Sequence, residues 1–185
     1  MMEQLSHTFD HVRRTVNSRT QLAERSDIGQ FLTPGAIARF MASLFAPNWR
    51  DQVSILDAGA GAGVLFSAFV EVLVAEGRRP LSIEIVAYEN DGRILPELAQ
   101  TMARCEAACR KAGIAFHGEI RAEDFVAAAI ARTEEGLFAG PGERFTHAIL
   151  NPPYKKINGQ SATRKRLDAE GIEVSNLYAA FVWLA

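Results

Sequence analysis

From Val53 onward, short apolar runs alternate with longer amphipathic segments, and this alternation narrows the fold more than any other feature. The runs "VSILDAG", "LSIEIVAYEN", "IAFHGEI" and "FTHAIL" read as strands. Between them "VLFSAFVEVLVAEG", ending near Gly77, "GRILPELAQTMARCEAACRKAG" and "AEDFVAAAIART" read as helices. Strands joined by crossover-length helices predict an α/β fold, a mostly parallel sheet with helices on both faces. In such sheets ligands sit beyond the carboxyl ends of the strands. Four groups follow those ends: Asp57 to Gly63, Glu89 to Asp91, Glu123 to Phe125, and Asn151 to Tyr154. They should converge on one edge.

Ahead of the alternation, residues 3–25 read as an amphipathic helix carrying Arg13, Arg14, Arg19 and Arg25. "FLTPGAIARFMASLF" then offers Thr33 as N-cap and Pro34 at the first helical position, with an apolar face on Ile37, Phe40, Met41 and Leu44. A Gly/Pro-rich loop, "EEGLFAGPGE", precedes the last strand. After it a basic loop to about Val174 is expected to be poorly ordered without a polyanion, before "SNLYAAFVWLA" opens a helix with Ser175 as cap. The chain divides into an N-terminal helical segment, residues 1–28, and one α/β domain, residues 29–185, that carries the four groups.

Several classes are set aside by totals. A chain of 185 residues, 48% hydrophobic and 23% charged, has the makings of one globular domain with a sizeable core. Its formal net charge of −2 gives no global pull toward polyanions, so such binding needs a local patch. Cys105 and Cys109 stand one helical turn apart, where a disulfide would strain the helix; two reduced thiols in a cytoplasmic protein is the reading. No Cys/His spacing suggests zinc, and His7 and His11 share a helical face without a third ligand, so no metal is expected. "MMEQLSHTFDHVRR" lacks the apolar core of a signal peptide, and no run reaches membrane-span length.

"LDAGAGAG" sets Gly59, Gly61 and Gly63 between a strand and a helix, where alternate glycines let the backbone approach a ligand closely. Dinucleotide, phosphate and nucleoside binders all use such a turn. Glu89, ending the second strand in "VAYEND", stands where an acid accepts from ribose hydroxyls. Asp57 at the head of the turn would repel a pyrophosphate but could pair, directly or through water, with an amino group. The glycines also follow G-x-G-x-G rather than G-x-G-x-x-G. A zwitterionic methionine joined to adenosine therefore suits the turn better than a dinucleotide. Asp124, after the third strand, could accept from an adenine amine while Phe125 packs nearby, or cap the short helix, or both.

The corner "NPPY" stops the last strand with two prolines, which remove two backbone donors. The Asn151 amide oxygen and the Pro152 carbonyl are two convergent acceptors suited to a planar –NH₂ group, held rigid by Pro152 and Pro153. Tyr154 offers a face on which a heteroaromatic ring can stack. Methyl transfer to a weakly nucleophilic conjugated amine needs this set. Such chemistry rests on orientation and preorganised polar groups rather than on a strong base.

With those residues in hand, the sequence resembles the gamma-type adenine-N6 DNA methyltransferases of restriction–modification systems. The matches run in that family's order: "GQFLTP", "LDAGAGAG", "YEND", "AEDF", "NPPY" and "NLYAAF", covering nearly everything from Gly29. The resemblance implies a Rossmann-like class I fold, S-adenosylmethionine (SAM) as cofactor, and DNA as substrate with the target adenine flipped out of the duplex. It implies that Thr33, beside Pro34, contacts the methionine carboxylate. Asp57, Ala58, Gly59, Gly61 and Gly63 would line the methionine end, Glu89 with Asn90 the ribose, and Asp124 with Phe125 the cofactor adenine. Asn151, Pro152, Pro153 and Tyr154 would grip the target base.

Two departures stand out. Ala58 replaces a frequent proline, and the chain stops at Ala185 inside the helix bearing "NLYAAF". The later strands and a target-recognition domain are therefore expected on further sequence or on a partner subunit, and residues 1–185 alone should methylate weakly or not at all. Rival readings are a glutamine-amide protein methyltransferase, an RNA base methyltransferase, and a non-catalytic SAM- or DNA-binding subunit. Lys155, Lys156, Arg164, Lys165 and Arg166, next to the corner, form a candidate phosphate-contacting loop.

Overall fold

Side chains two apart along the first two strands enter the same layer, and both layers are apolar, so the sheet is covered on both faces. Val53 and Ile55 join Ile83, Ile85 and Ala87 on one face, while Leu56 and Ala58 join Val86 and Tyr88 on the other. The structure, a computed structural model, describes residues 33–45, 51–75, 80–134 and 144–185. The expected N-terminal helix with His7 and His11, the helix end at Gly77 and most of the Gly/Pro-rich loop lie outside those residues.

Strands β1 (Gln52–Ala58), β2 (Ser82–Tyr88), β3 (Ala115–Arg121) and β4 (His147–Ala148) pair in parallel in the order β3-β2-β1-β4. Helices α1 (Gly35–Ser43), α2 (Val64–Ala75) and α3 (Leu95–Lys111) cover the first face. Helices α4 (Phe125–Glu134), α5 (Ala162–Ala169) and α6 (Leu177–Leu184) cover the second. Phe66, Phe69 and Leu73 of α2 are fully buried, each contributing roughly 1.5–3 kcal/mol. Tyr88, also fully buried, has its hydroxyl satisfied by the guanidinium groups of Arg121 and Arg132. Cys105 and Cys109 are free and buried; burial pushes the Cys109 thiol up to about 11 and Cys105 higher still, so both are inert thiols at neutral pH.

The chain steps outward from β1 through β2 to β3, then returns to lay β4 on the other side of β1. This reversal is a topological switch point, and it sets the exits of β1 and β4 side by side. The expected strand "FTHAIL" is realised in part: only His147 and Ala148 pair with Ile55 and Leu56. Thr146 extends the ladder through its side chain, its hydroxyl accepting from the Ser54 N–H and donating to the Ser54 carbonyl, both at 2.9 Å.

Four local expectations are corrected. Pro34, not Thr33, is the N-cap residue of α1, and no side chain among the described residues caps that helix. Its buried stripe is Ala38 and Ala42, with Met41 and Phe45 partly buried, whereas Ile37, Phe40 and Leu44 are 50%, 61% and 67% exposed. The packed face is rotated by about a third of a turn from the one with the largest residues, since small side chains let α1 lie close against α2. The basic stretch after the prolines is not a loose loop. Ser161 caps α5 by accepting from the Arg164 N–H at 3.1 Å, Leu167 and Ile172 are buried, and the Arg164 side chain donates to Asp168 and to the carbonyls of Ile172 and Val174. Finally α6 is capped by Asn176, whose amide oxygen accepts from the Ala179 N–H at 2.8 Å, rather than by Ser175.

Candidate active site at the carboxyl edge of the sheet

Gly59, Gly61 and Gly63 have φ of 72°, 56° and 79°, a region costly for any residue with a side chain. At Gly63 a Cβ would also lie 2.5 Å from the Phe66 ring. The turn is held by Ala60 N–H donating to the Tyr88 carbonyl and Gly63 N–H to the Ala60 carbonyl, both at 2.8 Å.

Two acids sit at its base. Asp57 is 0% exposed: one carboxyl oxygen accepts from the Phe66 N–H at 3.3 Å and the other has no hydrogen-bond partner among the described residues. Burial pushes its pKa up to about 8, the Phe66 N–H lowers it in part, and nearby Glu89 raises it further. Asp57 thus underlies the turn rather than lining its surface. Glu89, just beyond β2, accepts from the Gly61 N–H at 2.8 Å and the Asp91 N–H at 2.7 Å. Burial raises its carboxyl above the ordinary value, against the backbone donors, those of Asp91, Gly61 and Asn90. Glu89 therefore clamps the glycine turn to the end of β2, a bracing function not visible in the sequence. Asp91, held low first by its hydrogen bond to Arg93, forms a surface pair with that residue.

After β3, Asp124 is exposed and one of its oxygens accepts from the Ala127 N–H at 2.8 Å, the cap alternative read from the sequence. Phe125 is buried, its ring flanked by Tyr88 and Phe181 at centroid distances of 5.2 Å each. It belongs to the packing of the second face, and Phe181 is a residue that sequence reasoning quoted but gave no part.

Beyond β4, Asn151 donates from its amide nitrogen to the Thr33 hydroxyl at 3.0 Å, which ties the start of α1 to the proline corner. The amide oxygen receives a long hydrogen bond, 3.4 Å, from the Tyr154 hydroxyl. Pro152 is buried and Pro153 half-buried. Tyr154 is 66% exposed and stacks on Tyr178, with ring centroids 5.5 Å apart and planes 15° from parallel. Tyr178 was missed; the signal for it was an aromatic residue in the first turn of a capped helix.

A parallel sheet with a glycine turn after its first strand, an acid after its second and a polar corner at the switch point defines a Rossmann-like domain built to bind a nucleoside-containing cofactor. The family model described as N-6 DNA Methylase matches residues 9–184, and the chain belongs to that family. It is 43% identical over 185 residues to the type II methyltransferase M.BsuBI of Bacillus subtilis, covering 99% of this chain and 35% of the relative. It is 36% identical over 181 residues to M.PstI of Providencia stuartii, covering 98% and 34%. The chain thus spans about a third of the length of the curated relatives it matches. Its fold is similar to a protein of Listeria monocytogenes described as a class I SAM-dependent methyltransferase, with a TM-score of 0.65, 14% identity, and coverage of 98% of this chain and 49% of that one. Among the described residues no helix is long and apolar enough to cross a membrane, and no group of three or more His, Cys, Asp or Glu could hold a metal ion.

Proposed function

We propose that this domain transfers a methyl group from SAM to the exocyclic N6 amine of adenine in DNA, as the modification part of a restriction–modification system. The observation that carries this is the adjacency, at one switch point, of the glycine turn after β1 and the Asn151 corner after β4. Membership of the N-6 DNA methylase family supports the same reading.

The residues present fit SAM. Three left-handed glycines leave a turn that backbone-contacting ligands can approach, and the acid clamped beside it, Glu89, presents acceptors where a pyrophosphate would need donors. When bound, SAM supplies an electrophilic methyl on a sulfonium. Glu89 already accepts backbone N–H groups, and a carboxylate has lone pairs enough to accept from ribose hydroxyls as well. Asp124, capping α4 through one oxygen, accepts from the cofactor adenine amine. Asn151 and the Pro152 carbonyl accept from the two N–H bonds of the target amine and orient its lone pair. Thr33, by accepting from the Asn151 amide nitrogen, keeps the amide oxygen turned toward that amine. The same hydroxyl, accepting from Asn151, keeps its own proton to donate to the methionine carboxylate. Reading of base sequence belongs, in this proposal, to segments beyond these 185 residues or to a partner subunit, consistent with relatives about three times as long.

The test is radiolabelled methyl transfer from SAM to mixed-sequence duplex DNA by the full-length protein that carries this chain, with the modified nucleoside identified by mass spectrometry. Asn151→Ala is expected to lower turnover by about 10²-fold or more with SAM affinity retained. Labelling of protein or RNA instead of DNA, or wild-type turnover in Asn151→Ala, would overturn the reading.

A further inference from the structure

We propose that Tyr178 is a positioning residue for the target base: it backs the Tyr154 ring, so that the base stacks on the opposite face of a two-ring platform. This rests on the function proposed above. Tyr154 and Tyr178 are large aromatic residues left 66% and 42% exposed, yet they lie nearly parallel rather than independently in solvent. An exposed ring on a surface corner ordinarily samples several rotamers, and ordering it on binding weakens affinity. Here one face of Tyr154 is occupied by Tyr178, and the ring is also held at its tip by the hydroxyl hydrogen bond to the Asn151 amide oxygen. The ring plane is thereby set relative to the acceptor that grips the amine.

The backbone makes this relation durable. Leu177 N–H donates to the Lys155 carbonyl at 2.9 Å and Ile157 N–H to the Ser175 carbonyl at 3.1 Å, forming an antiparallel bridge between Lys156 and Asn176. Asn176 then caps α6, fixing the helical turn from which Tyr178 projects. Lys156, two residues past the proline corner, and Asn176, the residue before Leu177, are thus joined directly, with one tyrosine on each side of the joint. Tyr178 touches the reacting amine nowhere in this scheme; it acts through Tyr154.

The experiment compares wild type, Tyr178→Ala, Tyr178→Phe and Tyr154→Ala in the full-length protein, measuring kcat, the KM for DNA, the KM for SAM and the melting temperature. Tyr178→Ala is expected to raise the KM for DNA about 3- to 10-fold, less than direct loss of base stacking in Tyr154→Ala. The KM for SAM and the melting temperature should stay unchanged. Tyr178→Phe, which keeps the stack and loses only the hydroxyl, should restore the wild-type KM. Equal DNA kinetics in Tyr178→Ala and wild type, alongside an impaired Tyr154→Ala, would overturn the proposal while leaving the function intact. A Tyr178→Ala variant that loses SAM affinity and melting temperature together would also overturn it, since Tyr178 would then be ordinary packing. Absence of DNA methylation in the wild type would remove the function and this inference with it.

Discussion

Asp57 shows how a single side chain can be legible in kind and misread in placement. "LDAG" announces an acid at the head of the turn, but only the three-dimensional register, Asp57 opposite Ala87, shows that it is enclosed by sheet and helix. Burial is the larger influence, so the folded chain keeps a proton that the unfolded chain releases near its ordinary value of 3.8. Its contribution to stability is therefore complete in acid and is lost as pH rises toward about 8. Glu89 and Glu71, both raised first by burial, act in the same direction. Asp91 and Glu119, lowered first by hydrogen bonds from Arg93 and Arg121, act oppositely at low pH. The melting temperature of the ligand-free protein should fall between pH 6 and pH 8.5. Asp57→Asn, neutral throughout, should flatten part of that slope and melt no lower than wild type at pH 8.5. An unchanged slope in thermal melts would show that Asp57 does not titrate there. Thr33 carries a related lesson: its sequence context, before Pro34, is that of a helix cap, and its hydrogen bond to Asn151 spans 118 residues that no local pattern reports.

At the scale of elements, α5 was written in the sequence and overlooked because it is so charged. Ser161 offers a cap, Arg164 and Asp168 pair one turn apart, and Gly171, at φ 68°, stands just past the end. One apolar residue, Leu167, faces inward and anchors the helix on the second face of the sheet. Leu167→Ala should cost about 2–5 kcal/mol in chemical denaturation. If the segment were only a solvated loop, the change would be within about 0.5 kcal/mol. The α1 stripe differs from its sequence pattern for the converse reason: its largest apolar residues stay exposed, and two alanines make the close approach.

For the whole molecule, the alternation of strands and helices was readable because each element carries its own period. The strand order was not, since nothing local says that β4 returns beside β1. That return is what joins the glycine turn to the proline corner, so the proposed site is a property of topology more than of either motif. Its cofactor specificity is testable on the intact fold. SAM or S-adenosylhomocysteine at a hundred times its Kd should stabilise the protein by about 2.7 kcal/mol, read as a rise in melting temperature, with NAD giving none. A rise with NAD and none with SAM would assign the turn to a dinucleotide.

The bridge between Lys156 and Asn176 divides the molecule in a further way. It closes residues 157–175 into an excursion whose two ends meet at a neck, with the stacked tyrosines on the scaffold side. With Leu167 and Ile172 keeping the excursion anchored on the second face, lengthening its exposed parts or changing their charge leaves the neck to hold Tyr154 and Tyr178 in register. Extra length in such a closed loop adds little entropic cost, about 0.6 kcal/mol per doubling. The two rings and the exposed surface of the excursion are thereby mechanically separate: a change in that surface's length or charge ends at the neck.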